Sequence, residues 1–314
     1  MAGAVTAAKQ ILVLDVRSPH GLVRKFETKG GLVCPHFYIV GTMVNGCFYS
    51  CEYCYLQGTY RSVHPFIKLA INYDDVFDAM KATARKNKRA DLVTNFNAGE
   101  LMDSLSFEDV TGFIGELIPK MTGDDFERSE LMLLTKSANV EALVSAAEEH
   151  PEAIERVIPT WSINSPRAAS CYEHAAPGTE QRLEAAKRVQ DAGYKTRLRI
   201  DPMVPYEGWE DDYRDLVRSI YGEYGLQPQV ITLGTLRYES AVPAIARKRF
   251  RHTNLFDFPL VKKGEDKQRL RYAERLAMYR HVVDAIRAFD DDQKNRPVQG
   301  TGRSMGRSRL RHGT

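Results

Sequence analysis

Three thiols, Cys47, Cys51 and Cys54, stand in the run Gly46-Cys47-Phe48-Tyr49-Ser50-Cys51-Glu52-Tyr53-Cys54-Tyr55, a CxxxCxxC spacing directly after a short apolar stretch. The 314 residues contain five cysteines. Chance would give this spacing roughly one time in a thousand, so the pattern points to ligation. Soft thiolates select iron–sulfur clusters or zinc. Clusters are usually held by four thiolates, so three in one loop would leave one iron of a [4Fe-4S] cluster without a protein ligand and open to a small molecule. The competing reading is a structural zinc completed by Cys34, His36 or His64, but the second CxxC or HxxxH half of such a site is missing. Tyr49, Tyr53 and Tyr55 around the thiols suit a buried, electron-handling cluster better than a surface zinc knuckle.

The elements that must position this loop alternate in type. Phe37-Tyr38-Ile39-Val40 reads as the strand that leads into it. Val76, Phe77, Met80 and Ala84 then recur at helical spacing, followed by a short apolar strand, Leu92-Val93-Thr94. Ser106, with Asp109 three residues on, predicts the N-cap of a helix carrying Phe107, Val110, Ile114 and Leu117 on one face. Further strands are expected at 131–134, 157–163, 196–201 and 229–234, with helices at 138–149, 179–192 and 209–221 between them. Six strand–helix units in succession imply parallel strands. The fold class is therefore α/β, a partial (β/α)6 barrel spanning residues 36–240, with a doubly wound open sheet as the alternative.

Around the barrel, residues 1–35 read as an N-terminal extension that includes a buried strand at Ile11–Val16. Residues 241–290 read as a C-terminal lid. They gather Arg247, Lys248, Arg249 and Arg251 around Phe250, then place Ala273, Leu276, Tyr279, Val283 and Ile286 at helical steps across 266–289. Residues 291–314 carry Arg296, Arg303, Arg307, Arg309 and Arg311 among glycine and serine, the composition of a disordered basic tail. Hydrophobic residues make up 43% of the chain, enough for one core, and the net charge of +3 says little about partners. No stretch approaches the ~18 apolar residues of a membrane span, and clustered, odd-numbered cysteines suit a reducing compartment, so a cytoplasmic protein with no membrane partner is expected.

Parallel βα barrels collect their functional groups at the C-terminal ends of the strands. This chain places Gly99 and Glu100 after the second strand, Thr135 and Lys136 after the third, and Ser162, Asn164 and Ser165 after the fourth. Arg199, Asp201 and Pro202 follow on the fifth, and Thr235 and Arg237 on the sixth. Ordinary strand-end capping and surface ion pairing are the competing roles for each.

A CxxxCxxC loop with an aromatic before its last cysteine resembles the cluster loop of radical S-adenosylmethionine (SAM) enzymes. The run Cys54-Tyr55-Leu56-Gln57 resembles one branch, the spore photoproduct lyase family. Phe96-Asn97-Ala98, Leu134-Thr135-Lys136, Ser162-Ile163-Asn164-Ser165, Pro177-Gly178-Thr179, Arg182-Leu183-Glu184-Ala185-Ala186, Ala192-Gly193-Tyr194 and Glu207-Gly208-Trp209-Glu210 resemble that family in the same order. The resemblance implies a [4Fe-4S] cluster on Cys47, Cys51 and Cys54, and reductive cleavage of SAM to a 5′-deoxyadenosyl radical that takes hydrogen from a substrate. It also implies an electron donor such as flavodoxin or ferredoxin, and a nucleic-acid, nucleoside or natural-product substrate.

The same resemblance assigns Gly99 and Glu100 to the methionyl amine, Lys136 to the carboxylate, and Ser162 with Asn164 to the polar remainder of SAM; Arg199, at the end of strand five, is a further cofactor-binding candidate. It places Tyr53 and Tyr55 along the radical path, where plain packing against the cluster is the competing role. One departure stands out. Dimer-repairing members carry a hydrogen-donating cysteine just after the second strand, and Glu100 takes that place here. The nearest substitute thiol is Cys171, on a loop expected after strand four, which also reads as an inert small hydrophobe. The reading from another functional class is a nucleic-acid-binding protein with a structural zinc or iron–sulfur site and no radical chemistry, to which the arginine-rich tail would contribute phosphate contacts.

Overall fold

The computed structural model describes residues 7–26, 37–58, 66–262 and 267–289, and the backbone of a two-residue strand, Gln299–Gly300. Six strands form its centre: β1 (Phe37–Val40), β2 (Thr94–Asn97), β3 (Ser129–Thr135), β4 (Val157–Ile163), β5 (Arg197–Met203) and β6 (Val230–Thr235). They hydrogen-bond in chain order and every neighbouring pair is parallel. A doubly wound sheet would reverse its strand order at a switch point, and this one does not. The barrel stays open. Val23–Phe26 runs antiparallel along β1 at one edge, and Gln299–Gly300 lies parallel to β6 at the other.

Connecting helices lie between the strands: α1 (Tyr73–Arg89), α2 (Phe113–Lys120), α3 (Glu141–Glu149), α4 (Thr179–Asp191) and α5 (Trp209–Arg218), with α6 (Tyr272–Phe289) packed on α5 and β6. Strand β4 is buried along its whole length, as a central parallel strand covered on both faces must be. Its Trp161 is fully buried and donates from the indole nitrogen to the Ser137 carbonyl at 3.0 Å. The predicted apolar stripe of α1, Val76, Phe77, Met80 and Ala84, faces the core.

Four local expectations are corrected. Leu92 and Val93 do not form the second strand; both are more than half exposed, and the strand begins at Thr94. Hydropathy missed it because its buried groups are mostly polar, with Thr94 Oγ1 accepting from Asn87 Nδ2 at 3.0 Å. The helix expected from Ser106 is split at Gly112 into Glu108–Thr111 and α2. Asp103 Oδ1 accepts from the amides of Leu105 and Ser106, and Glu108 caps α2 by accepting from Ile114 and Gly115. Val110 is left outside.

The strand within Ile11–Val16 forms at Leu12–Asp15, but as the outer strand of a three-stranded sheet with Ile67–Ala70 and Met43–Val44, so Leu14 and Val16 are exposed. The C-terminal helix starts at Tyr272. The residues before it, Lys267–Leu270, instead join a sheet with Arg237–Glu239 and Leu260–Lys262. Most of the predicted basic tail lies outside the described residues.

Candidate functional site

The cysteine loop leaves the C-terminal end of β1 and is pinned at both ends. At its start, the Gly46 amide donates to the Leu101 carbonyl at 3.0 Å, and its carbonyl accepts from the Asp103 amide at 2.9 Å. A Cβ on Gly46 would sit 2.6 Å from Met43 Cβ and 2.8 Å from Met102 Cβ, so only glycine allows this approach. Gly46→Ala is expected to cost about 1–3 kcal/mol in overpacking and to lower the iron retained per chain, read by urea unfolding and iron assay. Further along, Ser50–Cys51 pairs antiparallel with Glu173–His174.

Cys51 is buried, and Cys47 and Cys54 are half-buried. Burial pushes the Cys51 thiol up to about 12 and raises Cys47 as well, so these thiols resist ionising alone and suit a cationic metal centre that strips their protons. Among the described residues, no three His, Cys, Asp or Glu side chains are placed to hold a single metal ion. Cys34, His36 and His64, which a zinc site would need, lie outside those residues. Three soft donors in one loop fit a [4Fe-4S] cluster with an open iron.

Beside Cys51 lies a buried charge network that sequence reasoning did not single out. The Glu173 side chain is 0% exposed and faces Arg182, also 0% exposed, with Nη1 to Oε2 at 2.5 Å. Lys136 Nζ lies 3.7 Å from Glu173 Oε1, and the Tyr53 hydroxyl donates to the same oxygen. Burial alone would push the Glu173 carboxyl up, but Lys136, Arg182 and the Tyr53 hydrogen bond together hold it below the ordinary range. Arg182 also donates to the carbonyls of Pro177 and Ser162 at 2.7 and 3.1 Å. Two cations share one carboxylate, so the network carries a net positive charge.

The structure brings most of the predicted site residues to this end of the barrel. Lys136 Nζ donates to Ser162 Oγ at 2.5 Å and lies 5.9 Å from the centre of the Tyr53 ring. Asn164 is fully buried and its amide is engaged. Nδ2 donates to the Pro202 carbonyl at 2.9 Å, and Oδ1 accepts from Tyr213 at 2.8 Å. Gly99 abuts β3: a Cβ there would meet Leu134 Cβ at 2.7 Å, and its amide donates to Asn97 Oδ1. Burial raises the Glu100 carboxyl, opposed by the charges of Arg199, Arg24 and Lys267. Tyr55 lies within electrostatic reach of Glu100, Cys54 and Arg199 and is 42% exposed. Arg237 grips Asp201 with both guanidinium nitrogens at 2.7 and 2.9 Å, while Arg199 approaches it at 3.4 Å. Cys171 is on the short helix Pro166–Tyr172 instead of a loop, with an exposed side chain, while Ala168, Ala169 and Tyr172 are buried.

Segments before and after the barrel strands reach the cysteine loop. From the C-terminal segment, Arg249 donates to Gln57 Oε1 at 2.7 Å, Thr253 donates to Glu52, and Phe250 stacks on His174 at 4.9 Å. His174 in turn pairs with Glu52 at 2.8 Å. From the N-terminal segment, Lys9 Nζ donates to the carbonyls of Cys47, at 3.0 Å, and Tyr49. Sequence motifs carry no sign of these contacts, which join residues far apart in the chain.

An open barrel of six parallel strands, with three cysteines in the loop after the first and charged groups on the following strand ends, is the architecture of the radical SAM class. The spore photoproduct lyase family model matches residues 4–282. A spore photoproduct lyase of Clostridium acetobutylicum is 28% identical over 213 residues, 68% of this chain and 60% of its own length. That of Bacillus subtilis is 27% identical over 268 residues, 84% of this chain and 71% of the relative. Among solved structures, spore photoproduct lyase complexed with dinucleoside spore photoproduct superposes with a TM-score of 0.77 at 25% identity, covering 92% of this chain and 82% of that one. A mutant of the lyase with bound AdoMet and dinucleoside spore photoproduct gives 0.76 at 25% identity, covering 91% and 81%. The chain belongs to the spore photoproduct lyase family. No helix among the described residues is long and apolar enough to cross a membrane.

Proposed function

We propose that this protein is a radical SAM lyase acting on a nucleic-acid-derived substrate, with Cys47, Cys51 and Cys54 holding a [4Fe-4S] cluster. The observation that carries the reading is the Lys136–Glu173–Arg182 network, which leaves a net positive charge beside Cys51, where a ligand carboxylate would complete the balance. With SAM bound, the cluster supplies a 5′-deoxyadenosyl radical; everything else falls to the protein's own side chains.

Arg182 is locked by two carbonyls and Glu173, whereas the Lys136 side chain is 12% exposed, which makes Lys136 the group to meet the methionyl carboxylate. Glu100 faces the amine, and the tight packing of Gly99 on Leu134 fixes the backbone that presents it. Ser162 and Arg199 provide hydroxyl and guanidinium donors to the rest of SAM. Asn164 supports the wall through Pro202 and Tyr213 instead of reaching the ligand. Tyr53 and Tyr55 line the path from cluster to substrate, and the C-terminal segment reaches the loop through Arg249 and Thr253. The relatives solved with AdoMet and dinucleoside spore photoproduct support this choice of cofactor and substrate class. An electron donor such as flavodoxin or ferredoxin and a cytoplasmic location complete the proposal.

Anaerobic purification tests it. A brown protein with about four irons per chain, which forms 5′-deoxyadenosine from SAM and dithionite, is expected. A colourless protein with one zinc removes the reading. Lys136→Ala and Glu100→Ala are each expected to keep the iron and to weaken SAM binding by about tenfold to a hundredfold, from the loss of a charged hydrogen bond worth about 1.5–3 kcal/mol. Calorimetric titration measures this, and unchanged affinity in both variants sinks the two assignments.

A further inference from the structure

We propose that Lys9 is a positioning residue for the cluster, and that its charge favours the reduced state of the iron–sulfur centre held by Cys47, Cys51 and Cys54. The inference rests on the radical SAM reading above. Lys9 lies 38 residues before Cys47, outside every motif of the chain, yet its ammonium group donates to the Cys47 carbonyl at 3.0 Å and to the Tyr49 carbonyl. These two carbonyls belong to the stretch that carries the first cysteine towards the second. One cation bridging them fixes the curvature of the loop from outside the barrel.

Lys9 acts with a second cation. Arg249 donates to Gln57 Oε1 at 2.7 Å and to Ser50 Oγ at 3.4 Å, so the loop is held by positive groups from segments on both sides of it in the chain. Their placement is unusual for surface charges, since both act on a loop with one buried and two half-buried thiols. A lysine in that setting serves as a hydrogen-bond strut and as a fixed charge. Adding an electron to a centre ligated by thiolates makes it more negative, and a neighbouring cation in a medium of low dielectric stabilises that state. Cluster potentials respond to net charge and hydrogen bonding of this kind.

The test uses the full-length holoenzyme, reconstituted anaerobically, with iron and sulfide counted and the midpoint potential of the cluster followed by EPR in mediated redox titrations without substrate. Lys9→Gln keeps a donor and removes the charge; Lys9→Arg keeps both. Lys9→Gln is expected to hold the wild-type iron content while the ratio of reduced to oxidised cluster at a fixed potential falls about tenfold, a downward shift of about 59 mV for one electron. Lys9→Arg is expected to stay near the wild-type midpoint. A Lys9→Gln protein with full iron and an unmoved midpoint overturns the proposal, as does Lys9→Arg shifting as far as Lys9→Gln. A Lys9→Gln protein that cannot retain iron also overturns it, because the glutamine keeps the hydrogen-bond donor and the charge would then be holding the cluster in place instead of setting its potential. Wild-type protein with no cluster signal defeats the radical SAM reading itself, which separates the two failures.

Discussion

Glu173→Ala is expected to destabilise the fold by about 3–5 kcal/mol, the cost of leaving a buried charge without its partner. Arg182 is fully buried, and its other partners, the carbonyls of Pro177 and Ser162, neutralise nothing. Lys136 would lose its carboxylate as well, and the Tyr53 hydroxyl its acceptor. Glu173 is also paired with Cys51 through the backbone, so the loop is expected to lose order together with the network. Removing both ends of the ion pair should be milder: Glu173→Gln with Arg182→Met leaves no orphan guanidinium, and is expected to recover a substantial part of the loss. Urea unfolding followed by circular dichroism gives both numbers. A Glu173→Ala cost under about 1 kcal/mol, the range of an exposed pair, would show that water reaches this network and that it does not organise the site.

That network explains where sequence reasoning stopped. The six strand–helix units were legible because central parallel strands such as β4 are continuous apolar runs and helices such as α1 show a clean stripe. Strand β2 was legible only in outline, since two of its three buried side chains, Thr94 and Asn97, are polar groups held by specific partners that hydropathy does not register. The thiols were legible from spacing alone, and Lys136, Ser162 and Glu100 from their positions at strand ends. Glu173 was not. It sits after a short helix in a two-residue strand, and its role depends on Arg182 one helix later and on Tyr53, 120 residues earlier. Lys9 and Arg249 are further cases of the same kind, because a lysine in an N-terminal segment and an arginine in a basic run read as solvated charge until tertiary contact gives them partners. Contacts of high sequence separation leave no periodicity to read.

The second large effect concerns hydrogen return to the product. Wild-type protein with SAM and dithionite is expected to release 5′-deoxyadenosine, yet to convert spore photoproduct poorly to clean thymines. After hydrogen abstraction and scission of the bond joining the two bases, one base is left with an unpaired electron and needs one hydrogen atom. A thiol is a fast source because its S–H bond is weak, and the resemblance puts a cysteine where this chain has Glu100. A carboxylic O–H is too strong a bond to serve, even with the carboxyl raised by burial. Cys171 is exposed on the helix Pro166–Tyr172, and Cys171→Ala is expected to leave the product pattern unchanged. With SAM at saturation, to offset the lost amine contact, Glu100→Cys is expected to raise the clean-thymine fraction by about tenfold relative to adducts, a difference of about 1.4 kcal/mol between competing barriers. Mass spectrometry of the dinucleoside products reads all three proteins. Efficient repair by the wild type that survives Cys171→Ala would show that the donor lies elsewhere. Repair abolished by Cys171→Ala would make that thiol the donor despite its exposure. A wild type inert towards spore photoproduct, with Glu100→Cys equally inert, would direct the search to a substrate whose radical is quenched without a thiol.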